Sequence, residues 1–347
     1  MKRQLRVGLA GIAALYWPVM IAEGIRARRD AKLVAFSTLG LAPRVIKDHV
    51  GMEPDEFARS CGAARYEDLD DMLRTEDLDA VAVCSRHTEH AALVPRIAAH
   101  GRDIFIAKTF ATTARDAEAI CAAGRKHGVR IAVGPSARFL PWFAAAKRVV
   151  DAGEIGAPFS MHVAHHHGTI DVFGPGDSYR DTREGGPELS LGWYLVDLVM
   201  HFMAKPVAGV SAVYGTYTSP DSPFMDCGKM TLTLEGGAMA SCDMYFCNRF
   251  DYPRWEMEII GEKGALLVRQ SGDQAAVSVS TPRGTRAVAL PSKTRDWELF
   301  WIDDFRAGRE PELSAEYARR VTAACLAARD AARRGRWIAV PAARKAP

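Results

Sequence analysis

The chain has 347 residues, with 45 Lys and Arg against 42 Asp and Glu, a formal charge of +3 and 48% apolar residues. That length points to two domains rather than one small core. The near-neutral balance argues against a nucleic-acid partner, which calls for a basic stripe, and a charged fraction of 25% excludes disorder as the main state.

In chain order, the first feature is an apolar run from Val7 to Ala22 behind MKRQLR, which imitates a secretory signal. Trp17 and Pro18 interrupt it, Glu23 follows it, and it has no small-x-small cleavage pattern. It therefore predicts a buried strand, a glycine turn and a helix in a cytoplasmic protein without a membrane partner. Strands are predicted at Arg6–Leu9, Lys32–Ser37, Asp79–Cys84, Asp103–Ala107 and Arg130–Val133. Helical patterns separate them at Pro18–Arg29, Arg44–Cys61, His90–His100 and Thr113–His127, the last opened by Thr113 with Asp116 three residues on. Continuous apolar strands alternating with helices imply a doubly wound parallel sheet over residues 1–135, a dinucleotide-binding arrangement.

From residue 136 to 347 the pattern becomes α+β. Polar–apolar alternation predicts a large open, mostly antiparallel sheet from Pro158–His167, Val207–Thr218, Asp226–Leu234, Ala238–Cys247, Trp255–Ile260, Ala265–Arg269, Gln274–Ser280 and Thr285–Leu290. One helix interrupts them at Pro187–Met203, and two close the chain at Trp297–Ala307 and Ser314–Arg334. The seven cysteines show no C-x-x-C spacing and read as small core residues in a reducing compartment.

The turn after the first strand reads RVGLAGIAALYWP. Gly11 supplies the tight turn that brings backbone to a pyrophosphate, while Ala13 and Tyr16 replace the later glycines of G-x-G-x-x-G. The second strand ends in Ser37 and Thr38 without the acid that commonly binds the NAD ribose, and Arg44 follows. This favours NADP over NAD. His165, His166 and His167 alternate faces along a strand, so only His165 and His167 share one. A metal there would need Asp171 or His201 in addition, and no metal is expected.

Five segments in order resemble the glucose–fructose oxidoreductase / inositol dehydrogenase (Gfo/Idh/MocA) family. They are DAVAVCSRHTEHAALVPRIAAHGRDIFIAKTF (79–110), GVRIAVGPSARFLPWF (128–143), DAGEIGAPFSMHV (151–163), GGPELSLGWYLVDLVMHF (185–202) and IIGEKGAL (259–266). The resemblance implies a Rossmann-type domain and an NAD(P)-dependent dehydrogenase acting on a sugar, cyclitol or related polyol, assembled as dimers or tetramers through the C-terminal sheet. It implies Lys108 as the lysine near nicotinamide and substrate oxygen. Ala107 and Thr109 replace the family's Glu and Pro around it, so a trans bond is expected at Lys108–Thr109.

In the family's Asp-x-x-x-His-x-x-Asp pattern this chain has Ser190, Tyr194 and Asp197, one helical face. Tyr194 becomes the acid/base, its phenol assisted by the Lys108 ammonium. Gly11, Ala13, Ser37, Thr38, Arg44, Ser85, His90 and Lys108 form the expected cofactor set. Asp197, His165, His167 and Arg138 form the expected substrate set. The altered motifs leave two other readings open: bound NAD used for net non-redox elimination or hydrolysis of a glycoside, and a catalytically inactive ligand-binding homologue.

Overall fold

The computed structural model describes residues 3–13, 16–168, 181–248 and 252–341. They fall into two compact units. The first holds the described residues up to Pro135, the short run ending at Gly185, and Glu298–Arg319. The second holds the described residues from Ser136, then Gly186–Trp297 and the chain from Arg320.

The first unit is a parallel sheet of β1 (Leu5–Ala10), β2 (Ala31–Ser37), β3 (Ala64–Tyr66), β4 (Ala80–Val83), β5 (Asp103–Ala107) and β6 (Ile131–Gly134). Their order is β3-β2-β1-β4-β5-β6. The direction of crossing reverses at β1, next to β4, which is where open sheets of this type bind ligands. The helices are α1 (Trp17–Arg26), α2 (Pro43–Val50), α3 (Pro54–Cys61), α4 (Leu69–Thr75), α5 (His90–Ala99) and α6 (Ala114–His127). The Thr113 hydroxyl caps α6 by accepting from the Asp116 amide, as the sequence predicts.

The single helix expected over 44–61 is two. Gly51 ends α2 in the left-handed region at φ 77°, and Pro54, which has no amide hydrogen, opens α3 behind an extended Glu53. The sequence pattern does not mark the short β3 and α4: β3 has only three residues, too few for an alternation, though Asp68 caps α4 through the Asp70 and Asp71 amides.

Glu298–Arg319, expected in the second domain, belongs to the first unit, so one cut at residue 135 does not divide the chain. Trp301, in the helix Phe300–Arg306, stacks on Phe105 of β5 at 4.9 Å and 15°. The Val133 amide of β6 donates to the Leu313 carbonyl at 2.9 Å. Aromatic packing and a backbone bond together tie this late segment to the early sheet.

The second unit opens with α7 (Pro141–Asp151), β7 (Pro158–Gly168) and α8 (Gly186–Met203). Then come β8 (Val207–Gly215), β9 (Cys227–Leu234), β10 (Met239–Asn248), β11 (Trp255–Gly261), β12 (Gly264–Ser271), β13 (Gln274–Thr281) and β14 (Gly284–Ala287). The helix carrying Trp301 is α9 (Phe300–Arg306), in the first unit. Last are α10 (Ala315–Arg334), of which the residues from Arg320 belong to the second unit, and β15 (Ile338–Ala339).

These nine strands form one sheet in the order β14-β13-β12-β11-β7-β10-β9-β8-β15. Neighbours are antiparallel except β7 and β10, which run parallel with Val163 opposite Cys242. On β9, Met230, Leu232 and Leu234 are buried while Lys229, Thr231 and Thr233 are exposed, the alternation of a sheet covered on one face. Apart from His201, α8 is buried along its whole length. Among the described residues no helix is long and apolar enough to cross a membrane.

Candidate active site

In the first unit the candidate residues gather at the carboxyl ends of the parallel strands. Gly11 leaves β1 at φ 84°, its amide donating to the Ser37 carbonyl. A Cβ here would stand 3.0 Å from the Ser85 backbone, so a side chain would be both strained and crowded. Ala13 is buried beside this turn. Ser37 and Thr38 are buried as well. The Ser37 hydroxyl donates to the Glu67 carbonyl at 3.2 Å and accepts from the Leu39 amide at 3.1 Å, so it serves the turn itself. Arg44 is exposed in the first turn of α2. A cavity of about 380 Å³ opens beside these residues, lined by Leu39, Gly40, Glu67, Asp68, Leu93 and Arg96 among others.

Lys108 follows β5 directly. Its amide donates to the Gly134 carbonyl at 2.6 Å, and its ammonium lies 5.9 Å from the centre of the Trp17 ring. The side chain is only 5% exposed, and burial lowers the amine to about 7. The Lys108–Thr109 peptide is cis, not the trans bond expected where threonine replaces proline.

His90 is fully buried, and its Nδ1 donates to the Phe110 carbonyl at 3.2 Å. Burial first, then neighbouring His87, lowers it to about 3, so it is neutral. Through the Phe110 carbonyl it holds the segment that follows Lys108.

Sequence reasoning missed Glu184, which is 1% exposed. Its carboxylate accepts from the Thr88 hydroxyl at 2.6 Å and pairs with Arg86 at 3.3 Å, and its carbonyl accepts from His87 Nδ1 at 2.9 Å. Arg86 also pairs with Asp181 at 2.6 Å. The turn after β4 is thereby clamped to the run that precedes α8. The one sequence signal was an acid beside the glycine pair Gly185–Gly186.

In the second unit α8 carries Tyr194. The helix begins at Gly186, φ 60°, where a Cβ would fall 2.2 Å from the Phe224 ring. Tyr194, 6% exposed, meets the rings of His165 at 6.0 Å and Trp255 at 6.2 Å edge-on. His165 of β7 and Trp255 of β11 are opposed across the strands, and their rings stack at 3.7 Å and 8°. His167 shares that face, 5.5 Å from His165 and stacked on Phe246 at 4.7 Å. His166 turns to the other face, against Tyr245 and Tyr252. The structure thus brings Tyr194, His167 and Trp255, an aromatic residue the sequence pattern does not single out, together around His165.

Arg138 and Asp197 are brought together too, but with each other. Asp197 has no exposed surface and Arg138 has 4%. The Arg138 guanidinium pairs with the Asp197 carboxylate, whose Oδ2 also accepts from the Ser136 hydroxyl at 2.6 Å. The ion pair thus joins two residues of the expected substrate set to each other in the interior of this unit. Ser190 is buried one turn before Tyr194. His201 is lowered to about 2, by burial and then by Arg138 and Lys147. Asp171, weighed above as a metal ligand, lies outside the described residues.

A parallel sheet of this order, with a glycine turn after β1 and a buried lysine after β5, defines a dinucleotide-binding oxidoreductase fold. Two family models match the chain: the oxidoreductase family with NAD-binding Rossmann fold over residues 5–135, and the GFO/IDH/MocA C-terminal domain over residues 143–267. The chain belongs to the GFO/IDH/MocA family of oxidoreductases.

It is 32% identical to an inositol 2-dehydrogenase of Burkholderia multivorans over 90% of this chain and 84% of that one. It is 27% identical to a D-apiose dehydrogenase of Paraburkholderia graminis over 79% and 76%. An uncharacterized oxidoreductase of Bacillus subtilis is 30% identical, but the match spans only 62% of either chain. Among solved structures, an Agrobacterium radiobacter oxidoreductase in complex with NAD+, L-tartaric acid and magnesium superposes with a TM-score of 0.79, at 22% identity over 97% and 98% of the two chains. An aldose-aldose oxidoreductase from Caulobacter crescentus complexed with glycerol gives 0.81, at 21% identity over 97% and 100%.

Proposed function

We propose that the protein interconverts a secondary hydroxyl and the matching ketone on a sugar, cyclitol or related polyol, using a nicotinamide dinucleotide, with NADP preferred. Relatives named inositol 2-dehydrogenase and D-apiose dehydrogenase support the substrate class. The observation that carries the reading is Lys108, a buried amine at the carboxyl edge of the parallel sheet and lowered to about 7. An amine so poised exchanges its proton at neutral pH, which suits a group beside a reacting hydroxyl.

The residues present fit a dinucleotide. The side-chain-free turn at Gly11 admits a pyrophosphate to the backbone, and the cavity beside Leu39 and Gly40 suits the adenosine end. When bound, the nicotinamide ring supplies or accepts the hydride. Tyr194 moves the hydroxyl proton, and Lys108 steadies the negative charge on the substrate oxygen. His165 and His167 offer ring nitrogens to neighbouring hydroxyls, with Trp255 fixing the plane of His165. Arg138 and Asp197 position the middle of α8.

NADP is favoured because no carboxylate follows β2, and Arg44 is exposed close behind it to meet a 2′-phosphate. Glu67 and Asp68 also line the cavity, but Arg65 stands 3.6 Å from Glu67, and Asp68 is engaged in capping α4. Fluorescence titration with NADPH and NADH tests this. Tighter binding of NADPH, with Arg44→Ala weakening NADPH about tenfold and leaving NADH unchanged, is the expected result. Equal affinities, or no binding of either, would overturn it.

For assembly, we propose a homodimer or homotetramer through the uncovered face of the nine-stranded sheet, at the Met239 end of β10 and clear of Cys247 at its other end. Val213, Met239 and Leu267 are 70%, 54% and 51% exposed in this unit. Light scattering on the eluted protein gives the mass that decides it.

A further inference from the structure

All seven cysteines are thiols, and two of them form a pair that the sequence spacing concealed. Cys227 opens β9 and Cys247 lies near the end of β10. The strands run antiparallel with Cys227 opposite Tyr245, so Cys247, two residues further on, projects from the same face as a diagonal neighbour. The Cys227 thiol donates to the Cys247 sulfur at 3.4 Å.

The two are not equivalent. Cys227 is buried, and burial together with Cys247 and Asp226 pushes its thiol well up, so it holds its proton. Cys247 is half-buried and receives the S–H, so it is the more accessible sulfur of the two. A covalent S–S bond is about 2 Å long, so closure needs the sulfurs to approach by roughly an ångström and a half.

We propose that Cys227 and Cys247 form a thiol–disulfide site, in which a low-molecular-mass disulfide oxidises the pair to a bond between β9 and β10. The Cys247 thiolate attacks one sulfur of the reagent, the reagent's S–S bond breaks, and half of it leaves as thiolate. Cys227 gives up its proton to that thiolate and attacks the Cys247 sulfur. The mixed disulfide breaks, the Cys227–Cys247 bond forms, and the second half of the reagent leaves as thiolate and takes a proton from solvent. Two protein thiols are oxidised by two electrons and one reagent disulfide is reduced to two thiols.

The bond would tie the start of β9 to the end of β10. The other edge of β10 pairs with β7, where Tyr245 faces His166, next to the two histidines assigned to substrate. Oxidation therefore raises the thermal stability of the sheet one strand away from the site.

The full chain is equilibrated with mixtures of reduced and oxidised glutathione, its remaining thiols are alkylated, and its peptides are read by mass spectrometry. The expected result is a linked peptide containing Cys227 and Cys247, with the other five cysteines alkylated and the melting temperature raised. Cys247→Ser leaves Cys227 alkylated, and Cys227→Ser leaves glutathione on Cys247. Recovery of both residues alkylated in the wild-type chain overturns the proposal. A lasting glutathione adduct on wild-type Cys247, or a bond between two chains, overturns it as well. The wild-type readings suffice even if a serine variant does not fold.

Discussion

Arg138 and Asp197 hold each other inside the second unit, joining the turn after β6 to the middle of α8, with the Ser136 hydroxyl on the same carboxylate. Removing one partner strands a charge where water cannot reach it. Asp197→Ala should therefore destabilise the protein by about 3–5 kcal/mol, far more than loss of an exposed pair. Urea unfolding measures it. A cycle with Arg138→Leu should show strong coupling, the double variant being less impaired than the sum of the singles. Near-additive losses would mean that the pair is not the unit described.

Lys108 predicts a pH signature of stability. Its folded-state value, about 7, lies below the ordinary lysine value of about 10.4. Between those limits the unfolded chain holds a proton that the native lysine has released, so this group makes stability rise with pH across that window. Below pH 7 both states are protonated and the burial cost is felt in full. Lys108→Met should thus stabilise the cofactor-free protein by a few kcal/mol at pH 6, with the gain shrinking towards pH 10. Unfolding curves at the two pH values check this.

His165 stacked on Trp255 separates binding from folding. His165→Phe keeps a ring for the stack and removes the nitrogens. The expected outcome is a melting temperature within a few degrees of wild type, with KM for the polyol raised about tenfold. An unchanged KM would remove His165 from the substrate site.

Glu184 fastens Arg86, His87 and Thr88. Glu184→Ala keeps the carbonyl that holds His87 and removes the charge-assisted contacts to Arg86 and Thr88, worth roughly 1.5–3 kcal/mol. Amide exchange over residues 86–89 should quicken at least tenfold, and dinucleotide affinity should fall by a similar factor.

The sequence carried the alternation of strands and helices well, because strands with both faces covered and sheets with one wet face each leave a strong periodic pattern. It failed where a fold is made by distant partners. Nothing local says that Trp301 stacks on Phe105, so the return of Glu298–Arg319 to the first unit was invisible. In the site, the alternation rule put His165 and His167 on one face, and the helical period aligned Ser190, Tyr194 and Asp197. What the rules left out was which of these would be occupied by a neighbour. Asp197 is taken by Arg138, and His90 by the Phe110 carbonyl. The Cys227–Cys247 contact depends on the register of β9 against β10, which spacing in the chain does not encode.

The central claim, nicotinamide-dependent oxidation of a polyol hydroxyl with Tyr194 moving the proton, is tested most directly by substrate-dependent formation of reduced dinucleotide. Wild type and Tyr194→Phe are assayed over a panel of inositols, pentoses and hexoses with NADP and NAD. The account predicts net reduction by wild type on at least one polyol. It predicts a loss of turnover of about 10²–10⁴-fold in Tyr194→Phe, with dinucleotide affinity retained. No net reduction on any polyol, or full activity in Tyr194→Phe, would contradict it.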